Sequence, residues 1–382
     1  MRSPAPAAAR IHVVGAGPGG LTCARVLQRH GIPVTVHERD PHPRARDQGG
    51  TLDLHADDGQ VALREAGLLD DFFLLARPEG QEMRLLDPAG RLLDHHVPAE
   101  DEFFKPEIDR GALRDLLLGS LEPGTVRWGR AVERVTGPAG GPRRVHFTDG
   151  TSVEADLVIG ADGAFSRVRP AVSAAVPRYT GVTFLEAWFQ DVDNAHPDLA
   201  ALVGQGGATA ADGDRALFAQ RNGGDHIRVY VIQRLPAGWL AANGLNAGDT
   251  DGIRSWLLDA FSGWSPSLLR MITGNDGPYV DRPLFALPVP YAWERSASVT
   301  LLGDAAHLMP PLGVGANLAV LDACELALAL AGSATVAEAV AAYETTMLPR
   351  AADAARALEH GAEALLERHQ SGELATLAPP RR

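Results

Sequence analysis

The stretch IHVVGAGPGGL, residues 11–21, decides the fold, because it predicts an apolar strand, a glycine turn and a helix in that order. Gly15 permits the tight turn, Gly17 lets the backbone approach a pyrophosphate, and Gly20 allows the helix to pack near the strand. The N-terminus of this helix offers unpaired N–H groups and the positive end of a dipole. The stretch therefore predicts an anion-binding turn.

A second strand, residues 33–37, ends at Glu38, eighteen residues after Gly20. An acidic residue at this place can accept hydrogen bonds from an adenosine ribose. A lone glycine motif also occurs in turns that bind nothing, so the order strand, turn, helix, strand and acid is the informative feature. It predicts a dinucleotide site.

Composition limits the class of protein. The 382 residues are 45% hydrophobic and 22% charged, which is typical of a folded globular chain of two or three domains. The net charge of −13 argues against nucleic acid as a partner. The only two cysteines, Cys23 and Cys324, predict small core residues and neither a disulfide framework nor a metal site.

We expect a cytoplasmic protein without a membrane partner. The first ten residues contain prolines and lack the apolar core of a signal peptide. No run of about 18 apolar residues is evident in the sequence, so no transmembrane helix is expected.

The character of the chain changes between residues 178 and 280. Helical patterns become scarce there, strand-like stretches alternate with turns, and four of the six tryptophans fall in this block. Phe184, Trp188, Phe218 and Tyr230 could line an aromatic pocket, although alternation along strands predicts that half of them face a core. The block predicts a separate sheet that binds substrate.

Two further glycine-acid segments follow the first. One is Ala161-Asp162-Gly163 after an apolar strand, and the other is Gly303-Asp304-Ala305-Ala306-His307 after residues 299–302. With residues 15–20 they form three turns of similar chemistry, each placed after a strand. A Rossmann-like sheet that the chain leaves and re-enters is therefore predicted.

The order of these segments resembles the single-component FAD-dependent monooxygenases of the para-hydroxybenzoate hydroxylase type. Within that group the sequence is most similar to the tetracycline-inactivating monooxygenases. The similarity is carried by Glu38-Arg39-Asp40, by residues 49–55, by residues 106–110 and by residues 303–311. It implies an α/β fold with a Rossmann-like FAD-binding domain, an inserted β-sheet substrate domain and a long C-terminal helix.

The resemblance also implies the domain boundaries. The discontinuous FAD-binding domain comprises residues 1–75, 97–177 and 281–345. The substrate-binding domain comprises residues 76–96 and 178–280, a bridging helix covers residues 346–370, and residues 371–382 form a disordered tail.

The cofactor residues that the resemblance implies are Gly15, Gly17, Gly20, Glu38, Arg39, Arg46, Asp53, Arg110, Asp162, Gly303, Asp304, Gly313, Gly315, Ala316 and Asn317. Arg110, Pro311 and Gly313 would lie nearest the flavin ring, Arg46 would hold NADPH, and no residue is assigned a certain catalytic role.

Several of these residues also have ordinary structural interpretations. Asp304 could cap a helix, Arg46 and Arg110 could be solvated surface charges, and residues 313–317 could form a plain interhelix loop. His307 is more typical of a packed histidine than of a proton carrier.

The implied reaction consumes NADPH or NADH and O₂. Reduced FAD would form a C4a-hydroperoxide that transfers one oxygen atom to an aromatic or enolic polycyclic molecule, tetracycline-like or an aromatic polyketide. Baeyer–Villiger insertion and epoxidation are related alternatives, and a cofactor-free binding protein on the same fold is a non-enzymatic one. No metal is required, and a monomer or weak dimer is expected.

The substrate side departs from the tetracycline enzymes. Glu186 falls where they have a glutamine that contacts the drug, and Gly207 lies near the place of an arginine. We therefore take Glu186 as the candidate substrate contact. A glutamate in place of a glutamine would change which ligand the pocket tolerates.

Overall fold

A five-stranded parallel sheet organises the computed structural model, which describes residues 3–138, 140–311 and 313–359. In chain order its strands and those of the other sheets are β1 (Ile11–Val14), β2 (Val34–His37), β3 (Thr51–Asp53), β4 (Met83–Leu86), β5 (Leu92–His96), β6 (Glu107–Asp109), β7 (Val126–Arg127), β8 (Val132–Thr136), β9 (Arg143–Phe147), β10 (Ser152–Ala155), β11 (Leu157–Gly160), β12 (Arg178–Gln190), β13 (Gly207–Asp212), β14 (Arg215–Asn222), β15 (His226–Arg234), β16 (Val280–Ala286) and β17 (Val299–Leu301).

The helices, in the same order, are α1 (Pro18–Arg29), α2 (Gly59–Ala66), α3 (Leu69–Leu75), α4 (Arg110–Gly119), α5 (Val192–Ala195), α6 (Pro197–Val203), α7 (Trp239–Ala242), α8 (Thr250–Ala260), α9 (Pro266–Thr273), α10 (Asp304–His307), α11 (Gly315–Gly332) and α12 (Val336–Glu359).

The parallel sheet has the strand order β17-β11-β1-β2-β7. Val13 lies opposite Ile159 on one side and Val36 on the other. Every residue of β11 and β17 is buried, because helices or other sheets cover both faces of a parallel sheet. The carboxyl ends of β1, β11 and β17 consequently share one edge.

A seven-stranded sheet has the order β16-β12-β15-β14-β13-β4-β5. Strands β4 and β5 of this sheet precede β7, β11 and β17 in the chain, and its other strands lie within residues 178–286. The predicted α/β class with an inserted sheet and a long C-terminal helix is confirmed. The domain boundaries themselves stay a prediction.

The expected scarcity of helices between residues 178 and 280 is wrong. Five helices, α5 to α9, lie in that block. Leu257, Leu268 and Met271 from α8 and α9 pack with Leu185 and Phe189 of β12 in one hydrophobic core. Packing against the sheet stabilises these short helices, which isolated sequence patterns do not reveal.

Helix α11 corrects the expectation that no segment is apolar and long enough to cross a membrane. Its 18 residues pass by length and composition. It packs against α1, α2 and α12, and Asp322 in its middle is fully buried among polar partners. These contacts are typical of a core helix.

The described part of the C-terminal helix, α12, packs on α10 and α11. The remainder of the expected bridging helix and the expected tail, residues 360–382, lie outside the described residues. Cys23 and Cys324 are both buried, as predicted.

A pair of stacked histidines lies inside the parallel sheet. His12 Nδ1 and His37 Nε2 are 2.9 Å apart, and the His37 ring also contacts Phe147. Burial, and then the neighbouring His12 and Arg130, lower the pKa of His37 to about 3. Both imidazoles are therefore neutral in the folded protein at neutral pH.

We expect this pair to make stability fall with acidification. The unfolded chain binds protons at these histidines below about pH 6.5 whereas the folded chain does not, so the free energy of unfolding decreases as the pH falls. His37→Phe should reduce that decrease by up to about 1.4 kcal/mol per pH unit. Urea unfolding at about pH 7 and about pH 5 measures the difference. The exposed His30→Gln is the control, and an unchanged slope in His37→Phe would contradict the assignment.

Candidate functional site

The glycine turn after β1 is built by close backbone contacts. Gly15 has a φ of +107°, and a Cβ there would lie 2.3 Å from the carbonyl oxygen of Ala161. A Cβ at Gly20 would lie 2.1 Å from the carbonyl oxygen of Gly15. At Gly17 a Cβ would meet no described atom within 4 Å. Gly15 and Gly20 are thus required by packing, and Gly17 faces open space that a ligand can enter.

Glu38 at the end of β2 is tied to this turn. Its carboxylate, 6% exposed, accepts hydrogen bonds from Ala16 N at 2.7 Å and Asp40 N at 3.0 Å. Each carboxylate oxygen can accept a further hydrogen bond. The predicted contact with a ribose remains compatible with this geometry.

A group of charges adjoins the turn on its other side. Arg46 is half-exposed and pairs with Asp40 at 3.0 Å, whereas Arg39 is exposed. Arg114, which the sequence analysis missed, is only 2% exposed and donates to the carbonyl oxygens of Ala16 at 3.0 Å and Pro43 at 2.6 Å. No local spacing marks Arg114, because its two partners lie 98 and 71 residues away in the chain.

Arg110 begins α4, as predicted, and remains exposed. Its N–H donates to the carbonyl oxygen of Gly50, and its side chain lies 3.6 Å from the place of a Cβ at Gly49, whose φ is +107°. Asp109 occupies the N-cap position, but its carboxylate accepts from Gly223 N and pairs with Arg77 instead of capping.

Asp53 lies opposite Glu107 in the β3–β6 ladder. Its carboxylate is 3.2 Å from His55 Nε2. Burial, reinforced by the Asp53 carboxylate, raises the pKa of Glu107 to about 8. Glu107, which the sequence analysis did not single out, therefore carries a proton at neutral pH, and the Asp53 side chain opposite it is 25% exposed.

Asp162 holds its own loop. Its carboxylate accepts hydrogen bonds from Ser166 Oγ and Arg167 N, both at 2.6 Å. The buried Arg169 donates to the carbonyl oxygens of Ala305 at 2.8 Å and Asp304 at 3.1 Å. The second and third glycine-acid segments are therefore joined by an arginine.

Asp304 is the exposed first residue of α10, and Gly303 occupies the N-cap position with a φ of +58°. A Cβ at Gly315 would lie 4.0 Å from Asp304 Oδ1, so Asp304 adjoins the N-terminus of α11. That helix begins at Gly315.

The loop before α11 is held by Asn317. Its side chain is fully buried, donates to the carbonyl oxygens of Asp53 and Gly313, and accepts from His55 N. The side chain of Asn317 therefore binds protein, which leaves backbone groups near Gly315 and Ala316 as the candidates for a ligand. Pro311 and Gly313 are exposed beside them.

His307 has a structural partner. It lies 2.5 Å from Asp322, which also accepts from Gly303 N at 3.1 Å and from Arg350 at 2.8 Å. Burial opposes a charge on His307, but the Asp322 carboxylate raises its pKa. The network holds the Gly303 turn in place, and His307 is buried away from solvent.

Together these contacts bring the three segments to the carboxyl edge of the parallel sheet. Ligands of open α/β sheets bind outside this edge. Gly17 provides the open approach, Glu38 and Asp304 provide carboxylates, and α1 and α11 direct their N-termini toward the same side. This donor set fits the phosphates, hydroxyls and electron-rich ring of FAD.

The predicted substrate residue Glu186 is placed differently from the expectation. It is 2% exposed, and Arg228 and Arg282 pair with its two carboxylate oxygens. Because these two arginines occupy both carboxylate oxygens, Glu186 is not placed for a direct contact with a substrate. The sequence analysis missed both arginines, which come from neighbouring strands.

The four aromatic residues that the sequence analysis named share one face of the seven-stranded sheet. Phe184 and Trp188 have the parity of Glu186 on β12, and Phe218 lies opposite Tyr230. The other face, with Leu185 and Phe189, packs on the helices. Phe184, Phe218 and Tyr230 pack against a smaller hydrophobic cluster on their own face. The expected division of the four residues between the two faces of the sheet is wrong.

This aromatic face meets the FAD-binding side at Gly50. A Cβ at Gly50 would lie 2.8 Å from the Tyr230 hydroxyl and 3.2 Å from Arg228 Cδ. Gly50 in turn accepts the hydrogen bond from Arg110 N. Tyr230 of the sheet and Arg110 of the candidate flavin site thus both contact Gly50.

The exposed Asp304 generates a test of the cofactor assignment. Asp304→Ala should weaken FAD binding by about tenfold or more, because a carboxylate that accepts hydroxyl hydrogen bonds contributes a charge-assisted interaction. The FAD-to-protein ratio after gel filtration and a fluorescence titration of apoprotein measure it. The control is Asp251→Ala, which removes a carboxylate from the first turn of α8 and therefore reports only the loss of a favourable charge at a helix N-terminus. Unchanged FAD retention would remove Asp304 from the site.

Comparisons with known proteins agree with this geometry. Residues 8–234 and 292–357 match the family described as FAD binding domain. The chain is 33% identical over 410 residues to the monooxygenase penA of Penicillium thymicola, covering 92% of this chain and 94% of that one. It is also 33% identical over 369 residues to the 3-amino-4-hydroxybenzoate 2-monooxygenase of Streptomyces cremeus, covering 93% and 87%.

Among solved structures, the tetracycline destructase Tet(55) superposes with a TM-score of 0.67 at 21% identity, over 97% of this chain and 91% of that chain. This likeness shows the shared fold. The family match and the two relatives carry the assignment: the chain belongs to the FAD-binding-domain family and is an FAD-dependent monooxygenase.

Proposed function

We propose that this monooxygenase uses NADPH or NADH and O₂ to insert one oxygen atom into an aromatic or enolic polycyclic small molecule. The observation that carries the proposal is the meeting of two surfaces at Gly50. One is the carboxyl edge with Gly17 and Asp304, and the other is the aromatic face with Tyr230. Planar electron-rich rings fit such a face by stacking.

The protein groups have separate tasks in this proposal. The turn at Gly15 to Gly20 and the N-terminus of α1 bind the pyrophosphate, and Glu38 and Asp304 accept hydroxyl hydrogen bonds. The N-terminus of α11 stabilises negative charge on the ring system. Bound FAD supplies hydride acceptance and oxygen activation. The aromatic face of the sheet excludes water and orients the substrate.

Names of the relatives support an aromatic substrate, since one acts on 3-amino-4-hydroxybenzoate and a neighbour in fold is a tetracycline destructase. Tetracycline itself is one candidate among aromatic polyketides. At Gly207, near the place of an arginine in the tetracycline enzymes, a Cβ would lie 3.1 Å from the Met83 side chain and 3.2 Å from the Phe218 side chain, so a larger residue there would require both side chains to shift. We also propose that the enzyme acts in the cytoplasm, where NAD(P)H is available.

Purified protein should carry the yellow flavin absorption and oxidise NADPH faster when a substrate is present. We expect a polycyclic phenol or tetracycline to gain one oxygen atom, which mass spectrometry of the product detects. Protein that stays colourless after reconstitution with FAD would contradict the proposal. NADPH oxidation that yields only hydrogen peroxide would exclude the compound tested as a substrate, and binding without turnover would favour a binding protein.

Arg46 generates a second test, because its half-exposed guanidinium, paired with Asp40 through Nε, has N–H groups suited to a phosphate. Arg46→Ala should slow anaerobic flavin reduction by NADPH by about tenfold and leave the FAD content unchanged. Stopped-flow absorbance follows the reduction. Arg44→Ala, also exposed and two residues away, is the matched control. Equal reduction rates in both variants would remove Arg46 from the nucleotide site.

A further inference from the structure

Four charged residues form a cluster where the seven-stranded sheet meets the loop before β3. We call Asp47, Glu186, Arg228 and Arg282 the arginine cluster. Glu186 lies between the two arginines, and Arg228 also pairs with Asp47 at 2.7 Å. The cluster joins the sheet to the stretch that contains Gly49 and Gly50.

Arg228 is fixed from several sides. Its side chain is 3% exposed, its guanidinium carbon lies 3.1 Å from the ring centre of Trp188, and it donates to Glu186 and Asp47. Its charge is balanced by two carboxylates. Arg228 therefore stabilises the junction and offers no free cation to a ligand.

Arg282 is the other arginine and is held less completely. Its side chain is 51% exposed, and its Nε donates to Glu186. Among the described residues, none accepts a hydrogen bond from its two terminal nitrogens. A guanidinium anchored at Nε presents its terminal N–H groups as a preorganised fork for an oxyanion.

The local charge balance favours an anion. Glu186 is buried between two arginines, and the Asp47 side chain, which pairs with Arg228, is 62% exposed and thus screened by water. The charges that act on the Tyr230 hydroxyl are the carboxylate of Glu186 and the three cations Arg228, Arg110 and Arg282. Of the cations, Arg228 is buried, whereas Arg282 is 51% exposed and is screened by water as Asp47 is.

We propose that Arg282 binds a negatively charged oxygen substituent of the substrate, such as a carboxylate, phenolate or enolate, while the ring lies against Tyr230 and its neighbours. Glu186 is then a positioning residue that aims Arg282. This assignment rests on the proposed function in one respect, namely that the substrate is an aromatic molecule. It names an acidic aromatic compound as the substrate class.

The test measures binding without turnover. Oxidised FAD-loaded protein is titrated by calorimetry with 1-hydroxy-2-naphthoate and with the neutral 1-hydroxy-2-naphthamide. Native protein should bind the naphthoate more tightly. Arg282→Gln should weaken naphthoate binding by about tenfold or more and change naphthamide binding by less than about twofold.

The control is Arg234→Gln, which removes an arginine of the same sheet that pairs with Asp214 at its surface. It should leave both affinities unchanged. Glu186→Gln should reduce the preference for the naphthoate, because Arg282 loses the carboxylate that holds its Nε and aims its terminal N–H groups. An unchanged or stronger preference would contradict the positioning role of Glu186. Equal affinity of native protein for the two compounds, absence of naphthoate binding, or equal losses in Arg282→Gln and Arg234→Gln would overturn the proposal. None of these results depends on NADPH oxidation, so the proposed function is judged separately.

Discussion

The close approach of three backbone segments at the edge of the parallel sheet is the constraint on which the site depends. Gly15 and Gly20 leave no room for a Cβ, and the carbonyl oxygen of Ala161 lies against Gly15. Because these contacts are made by main-chain atoms, the turn is rigid and its open side at Gly17 keeps a defined shape. Beside that opening, Ala16 is held by Glu38 through its N–H and by Arg114 through its carbonyl oxygen.

Buried charged side chains hold the segments that glycine alone cannot join. Arg114 binds the carbonyl oxygen of Ala16, Arg169 binds those of Ala305 and Asp304, and Asp322 binds the N–H of Gly303. A buried charge is costly unless such partners satisfy it. These buried residues therefore hold the backbone of the cofactor site in place, and the exposed candidate residues remain available to the ligand.

Sequence reasoning found the segments that have local signatures. The glycine turn, Glu38 after β2 and Gly303-Asp304 after β17 were recognisable because strand ends and helix starts impose short, regular spacings. It missed Arg114 and Glu107, whose importance comes from burial beside residues distant in the chain. It also underestimated the helices beside the inserted sheet, because tertiary packing rather than intrinsic propensity stabilises short helices.

The sequence by itself determined the fold, the family and the edge of the sheet where the cofactor residues gather, since each follows from local patterns. Only the tertiary structure decided the environment of Glu186. Its two partners, Arg228 and Arg282, come from strands 42 and 96 residues further along the chain. The register of the sheet places both arginines beside the Glu186 carboxylate. Glu186 therefore binds these arginines and is not a substrate contact. A pairing that depends on register between distant strands is invisible to local spacing.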